Sequence, residues 1–140
     1  MISATDSFIA YLSGELSGTL SVHWLRKSAT DATAHLFQSN ALNVSIFQAA
    51  ENGSSEEILV SLDILADDER TAWGWAKAVR DKLIERQYTP ELDYEADPDS
   101  PVATGRYVSW DRDDITFEMV PVHENQIQLN ATFNICHVRM

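Results

Sequence analysis

The twelve residues IQLNATFNICHV, Ile127 to Val138, alternate apolar and polar side chains almost without a break. Successive side chains of a strand point to opposite faces, so Ile127, Leu129, Ala131, Phe133 and Ile135 share one face. The pattern predicts a strand with one buried and one wet side. Gln128, Asn130, Thr132 and Asn134 form the other row, uncharged and rich in hydrogen-bonding groups. That row is a candidate subunit interface.

Two competing readings of the same residues are weaker. Asn130-Ala131-Thr132 matches a glycosylation acceptor, as do Asn43-Val44-Ser45 and Asn52-Gly53-Ser54. The opening "MISATDSFIAYLSGELSG" lacks the basic flank and apolar run of a secretory signal, so synthesis in the cytoplasm is expected and the triplets read as chance. Cys136 and His137 are neighbours and would face opposite ways, unable to share one metal. His137 falls in phase with the buried row and reads as a histidine at the end of that face.

Working backwards, "HENQ" and "DRDD" read as turns, with strands over Ile115 to Val122 and Arg106 to Trp110. Pro121 belongs at a strand end or on an edge, because it cannot donate to a ladder. "YTPELDYEADPDSPVATG" holds three of the four prolines and the acids Glu91, Asp93, Glu95, Asp97 and Asp99, and reads as an exposed loop. Before it, "ADDERTAWGWAKAVRDKLIER" has helical period: Ala72, Ala76, Val79 and Leu83 form a stripe widened by Trp75, with Asp67 or Asp68 as the cap. Trp73 flanks the stripe and is the first candidate for a subunit contact.

Further back, Ile58, Val60, Leu62 and Ile64 alternate after an Asn52-Gly53 turn signal, and Leu42, Val44 and Ile46 alternate before it. Leu20, Val22 and Trp24 make an earlier alternating run. These three strands are expected to form an antiparallel meander. Phe8, Leu12 and Leu16 recur at helical spacing after the capping candidates Thr5 and Asp6, and Gly14 and Gly18 end that helix. The polar connection over residues 27–41 is long for a hairpin and is expected to order on assembly.

The predicted order is therefore helix, three strands, helix, three strands. This is an α+β fold, an antiparallel sheet of about six strands in two meanders packed with two helices, in one domain spanning residues 1–140. Ten basic against 22 acidic residues leave a formal net charge of -12, which disfavours gripping nucleic acid. The single cysteine excludes an internal disulfide, and no run is long and apolar enough to span a membrane.

Chemical motifs fail in turn. His123-Glu124 lacks the second histidine of a zinc-protease pair, since Ile127 stands there. Asp93, Glu95 and Asp97 imitate a calcium loop, but Pro98 replaces its glycine and Thr104 its closing glutamate. No phosphate loop or nucleophile elbow occurs. No catalytic residue, metal or cofactor is expected, and the protein is not expected to be an enzyme.

In order and size, the short helix, the meander, "SLDILADDERTAWGWAKAVRDKL", the acidic Pro-rich loop and the final "YVSWDRDDITFEMVPVHENQIQLNATFNICHV" resemble the tail terminator, or tail completion, proteins of long-tailed bacteriophages. The likeness covers nearly the whole chain. It implies a structural virion protein whose small α+β subunits close into a hexameric ring at the head-proximal end of the tail. Such a ring caps the tail tube protein, stops its polymerisation and docks the head-tail connector or completion protein, while DNA passes through the lumen. A hexamer would carry six times the charge of one chain, -72. Asp93, Glu95, Asp97 and Asp99 are then candidates for facing the lumen or an adjoining ring, where they would repel phosphate and keep DNA mobile. Another neck or tail-tube subunit is the neighbouring alternative. A small monomeric enzyme or ligand-binding domain is the alternative from a different class.

Overall fold

A computed structural model describes residues 2–25, 37–52, 55–95, 97–121 and 126–138. Helix α1 spans Ile2–Glu15 and α2 Glu69–Glu85. The strands are β1 (Ser21–Trp24), β2 (Ala41–Asn52), β3 (Ser55–Ala66), β4 (Tyr88–Asp93), β5 (Val102–Trp110), β6 (Glu118–Val120) and β7 (Ile127–Val138). The α+β class and the two helices are as the sequence predicts. The sheet has seven strands in the order β1-β2-β3-β7-β5-β4, with β6 against β7.

The alternating strand β7 sits near the centre of the sheet. β7 pairs with β3 along its whole length, from Ile127 opposite Ala66 to Val138 opposite Ser55. Its other edge is shared, with β6 at residues 128–130 and β5 at residues 135–137. Leu129, Ala131, Phe133 and Ile135 all face the core, as the alternation requires.

Both helices cover that face. Phe8 of α1 lies edge-on to Trp110 and to Phe133, with ring centroids 5.5 and 6.0 Å apart. The buried stripe of α2 is Ala72, Ala76, Val79 and Leu83, and Trp75 packs partly buried beside it. Each large apolar side chain removed from water contributes about 1.5–3 kcal/mol, so burial of Phe8 and Leu12, with Leu16 just after the helix, favours the docking of α1 on the sheet. Asp68 caps α2, accepting from Thr71 N at 2.8 Å and from the Thr71 hydroxyl at 2.9 Å. At the other end, two carbonyls of the last turn accept side-chain donors. The Tyr11 hydroxyl donates to Lys82 O at 2.7 Å and Trp110 Nε1 to Leu83 O at 2.8 Å.

Four expectations need correction. β1 runs parallel to β2, with Ser21 opposite Ala41 and Trp24 opposite Val44, so the first three strands are not an antiparallel meander. A parallel pair needs a long return, and the connection after Leu25 supplies it. The Pro-rich segment is not all loop, because β4 occupies its first six residues. Pro90 is tolerated there since β4 lies at the sheet edge. The strand expected over Ile115 to Val122 shrinks to β6, with Ile115 and Phe117 buried in irregular chain. Finally, α1 begins at Ile2, which places Thr5 and Asp6 within the helix rather than at its cap, and Thr5 is wholly buried.

Gly18 and Gly105 have positive φ, +80° and +84°. Gly18 lets the chain leave α1 for β1, as expected. The connection predicted to order on assembly lies largely outside the described residues, at 26–36. His123 lies outside them as well.

Candidate functional site

One of the most buried polar groups among the described residues lies in the segment that the sequence predicts as an exposed acidic loop. Glu91 is only 1% exposed. Opposite it, β4 and β5 lose register: Pro90 pairs with Tyr107 and Leu92 with Ala103, so Thr104, Gly105 and Arg106 all stand against one residue. This bulge, turned by Gly105, lets Thr104 and Arg106 both reach the same carboxylate. The Thr104 hydroxyl donates to Glu91 Oε2 at 2.8 Å, and Arg106 Nε approaches Oε2 at 2.7 Å. His137 Nε2 lies 2.8 Å from Oε1, an ion-pair distance, with the ring not aligned for a linear hydrogen bond.

Burial alone pushes the Glu91 carboxyl upward, but the Thr104 hydroxyl, the His137 ring and the Arg106 charge outweigh it and hold it below the ordinary glutamate value. Both oxygens are engaged and sealed from solvent. The group therefore acts as a clamp joining β4, β5 and β7 beneath α1. His137 keeps the buried position that its phase predicts, with a charged partner that the sequence reading missed.

On the opposite sheet face the predicted interface row divides in two. Gln128 is buried, and its amide donates to Asp63 Oδ1 at 2.9 Å. Asn130 Nδ2 donates to the same oxygen at 2.9 Å and to Ser61 Oγ at 2.8 Å. Asn43, also buried, is fastened by the segment just before β2: Gln38 N donates to its Oδ1 and its Nδ2 donates to Gln38 O. This half of the row satisfies itself internally and is not open surface. Thr132 and Asn134 are exposed, as expected.

Beside them lies a patch absent from the sequence reading. Tyr88 and Tyr107, each 52% exposed, meet edge to face with centroids 5.0 Å apart. A cleft of about 620 Å³ adjoins Tyr88 and is lined also by Glu57, Ser109, Asp111, Asn134 and Cys136. Cys136 thus points away from His137, as strand geometry requires.

The chain matches no protein-family model, and no curated protein matches it.

The remaining predicted residues fall elsewhere. Trp73 is 40% exposed at a groove between α2 and the segment before β6. Glu95, Asp97 and Asp99 are exposed in the turn after β4, and Asp93 is half-buried. Asp93 Oδ1 accepts from Glu95 N at 2.9 Å and Asp97 Oδ1 from Asp99 N at 3.0 Å. Two of the four carboxylates therefore shape the turn, and Glu95 and Asp99 are left as its outward charges. Among the described residues, no three His, Cys, Asp or Glu side chains converge as a metal site. No described helix is long and apolar enough to cross a membrane.

Proposed function

We propose that this chain is a structural subunit of a phage tail, a terminator that closes into a ring at the head-proximal end of the tail tube. One observation carries the reading. Helices cover one face of the sheet, whereas the other exposes Tyr88, Tyr107, Thr132 and Asn134, uncharged groups beside the acids Glu57 and Asp111 in a chain of net charge -12. Tyrosine with small hydrogen-bonding side chains suits protein contacts: it offers large rigid area and adaptable polar partners. The element order, resembling that of tail terminators, supplies the rest of the argument.

On this reading the ring binds the tail tube protein on one side and the head-tail connector or completion protein on the other. The lumen passes DNA without specific contacts, because the excess of carboxylates repels phosphate. The protein works as an assembled surface, in the virion, and performs no chemistry.

Light scattering combined with electron micrographs of the purified protein tests this. Closed rings with six times the 15.7 kDa chain mass are expected. Filaments would move the assignment to a tube subunit. A chain that stays monomeric at every concentration and binds a small molecule in the cleft beside Tyr88 would overturn it.

A further inference from the structure

The groove at Trp73 is chemically unlike the rest of this acidic surface. It has a volume of about 380 Å³ and is lined by Trp73, Ala76, Lys77, Arg80, Thr116 and Phe117. Trp73, Lys77 and Arg80 are spaced so that they share one face of α2. Arg80 Nε donates to Ile115 O at 3.2 Å, which fixes the guanidinium beside the groove. Lys77 pairs with Asp81 at 3.0 Å, but both are well exposed, and such a pair is weak and exchangeable. An exposed indole flanked by two cations is a fitting seat for an acidic, partly apolar chain segment.

Such a segment exists in the same protein. The turn after β4 reads DYEADPDSP and presents Glu95 and Asp99 outward. In the subunit the turn and the groove lie toward opposite ends of β5. β5 starts at Val102, opposite Asp93, and ends at Trp110, whose indole touches Leu83, one turn from Arg80. The ladder from Asp93 opposite Val102 to Tyr88 opposite Ser109 spans only the six residues of β4, which sets the turn on the order of 17 Å from the Trp110 end of the strand.

We infer that the 93–99 turn of one subunit docks into the Trp73–Lys77–Arg80 groove of a second copy. The inference rests on the ring reading and deepens it. Groove and turn are different surfaces at opposite ends of β5, so the contact is head-to-tail, the kind that closes into a ring when the rotation allows. The acids would then serve first to join neighbours around the ring.

Charge exchange tests it. The groove variant is Lys77→Glu with Arg80→Glu. The turn variant is Glu95→Lys with Asp99→Lys, which spares the two carboxylates that shape the turn. Circular dichroism verifies that each is folded, and the turn variant alters only exposed side chains. Light scattering should show each variant alone falling from ring mass to single-chain mass. Mixed in equal amounts they should form rings again, because every junction of an alternating ring is then complementary. Wild-type rings that persist in both variants, or variants that fail to reassemble on mixing, would overturn the docking and leave the ring reading standing. A wild-type chain that never forms rings would overturn both.

Discussion

The indole nitrogen of Trp110 donates to the carbonyl of Leu83 at 2.8 Å, so the end of β5 ties down the last turn of α2. Helix ends leave carbonyls without intrahelical partners, and this one is buried. Trp110 also packs on Phe8 and Tyr11, which makes it the meeting point of both helices and the sheet. Trp110→Phe keeps an aromatic ring there and removes the donor. Stability should fall by about 1–3 kcal/mol, seen as a lower urea midpoint with unchanged slope.

Gly105 turns the bulge that brings Thr104 and Arg106 to Glu91. A side chain at this position would meet nothing within 4 Å, so the cost of replacing it is conformational rather than steric. Gly105→Ala should destabilise by about 1–2 kcal/mol, and Gly105→Asn by less, since asparagine tolerates positive φ. Thermal unfolding of the two variants side by side would check the ranking.

Because the Glu91 carboxyl is held below its ordinary value, the clamp contributes stability that is fully present above the unfolded glutamate pKa of about 4.3. It is lost as pH falls through the lower folded value. Glu91→Gln should therefore be less stable than wild type at pH 7, with the gap narrowing in acid. Urea titrations at pH 7 and pH 3 measure it, and a gap that widened in acid would contradict the assignment. Arg106 is the half-buried partner of the buried carboxylate, and solvent screens its charge in part, so Arg106→Met at pH 7 should cost about 1–2 kcal/mol.

Asp63 accepts from both Gln128 and Asn130 on a covered part of the sheet. Asp63→Ala would leave two amides short of an acceptor, with an expected loss of about 2 kcal/mol. Hydrogen exchange should locate the loosening at the start of β7 rather than at its end.

The contrast between these residues and their sequence signals is physical. β3, β7 and α2 were legible because each repeats its period over many residues, as with Ile58 to Ile64 or Ala72 to Leu83. β1 was placed correctly but given the wrong direction, since the length of a connection does not reveal whether the chain returns to the same end. β4 was hidden because its buried positions are Thr89 and Glu91, which read as surface. A carboxylate becomes a core residue only through partners, and those of Glu91 come from distant parts of the chain. The same logic divided the outer row of β7: alternation gave the face of Gln128 and Asn130 but could not show that Asp63 waits there for them. Tyr88 and Tyr107 left no signal, because their pairing depends on the register of β4 against β5.

β7 is made after every strand it joins, yet it lies between β3 and β5. Until residues 127–138 arrive, β3 keeps one edge unpaired and the β4–β5 hairpin has no sheet to dock on. The fold is thus completed by a late insertion between two waiting edges, and the nascent chain carries an unpaired β3 edge from the completion of β3 at residue 66 until β7 begins at residue 127. For a protein proposed to add itself to a growing assembly, that interval is when pairing with the wrong strand is easiest.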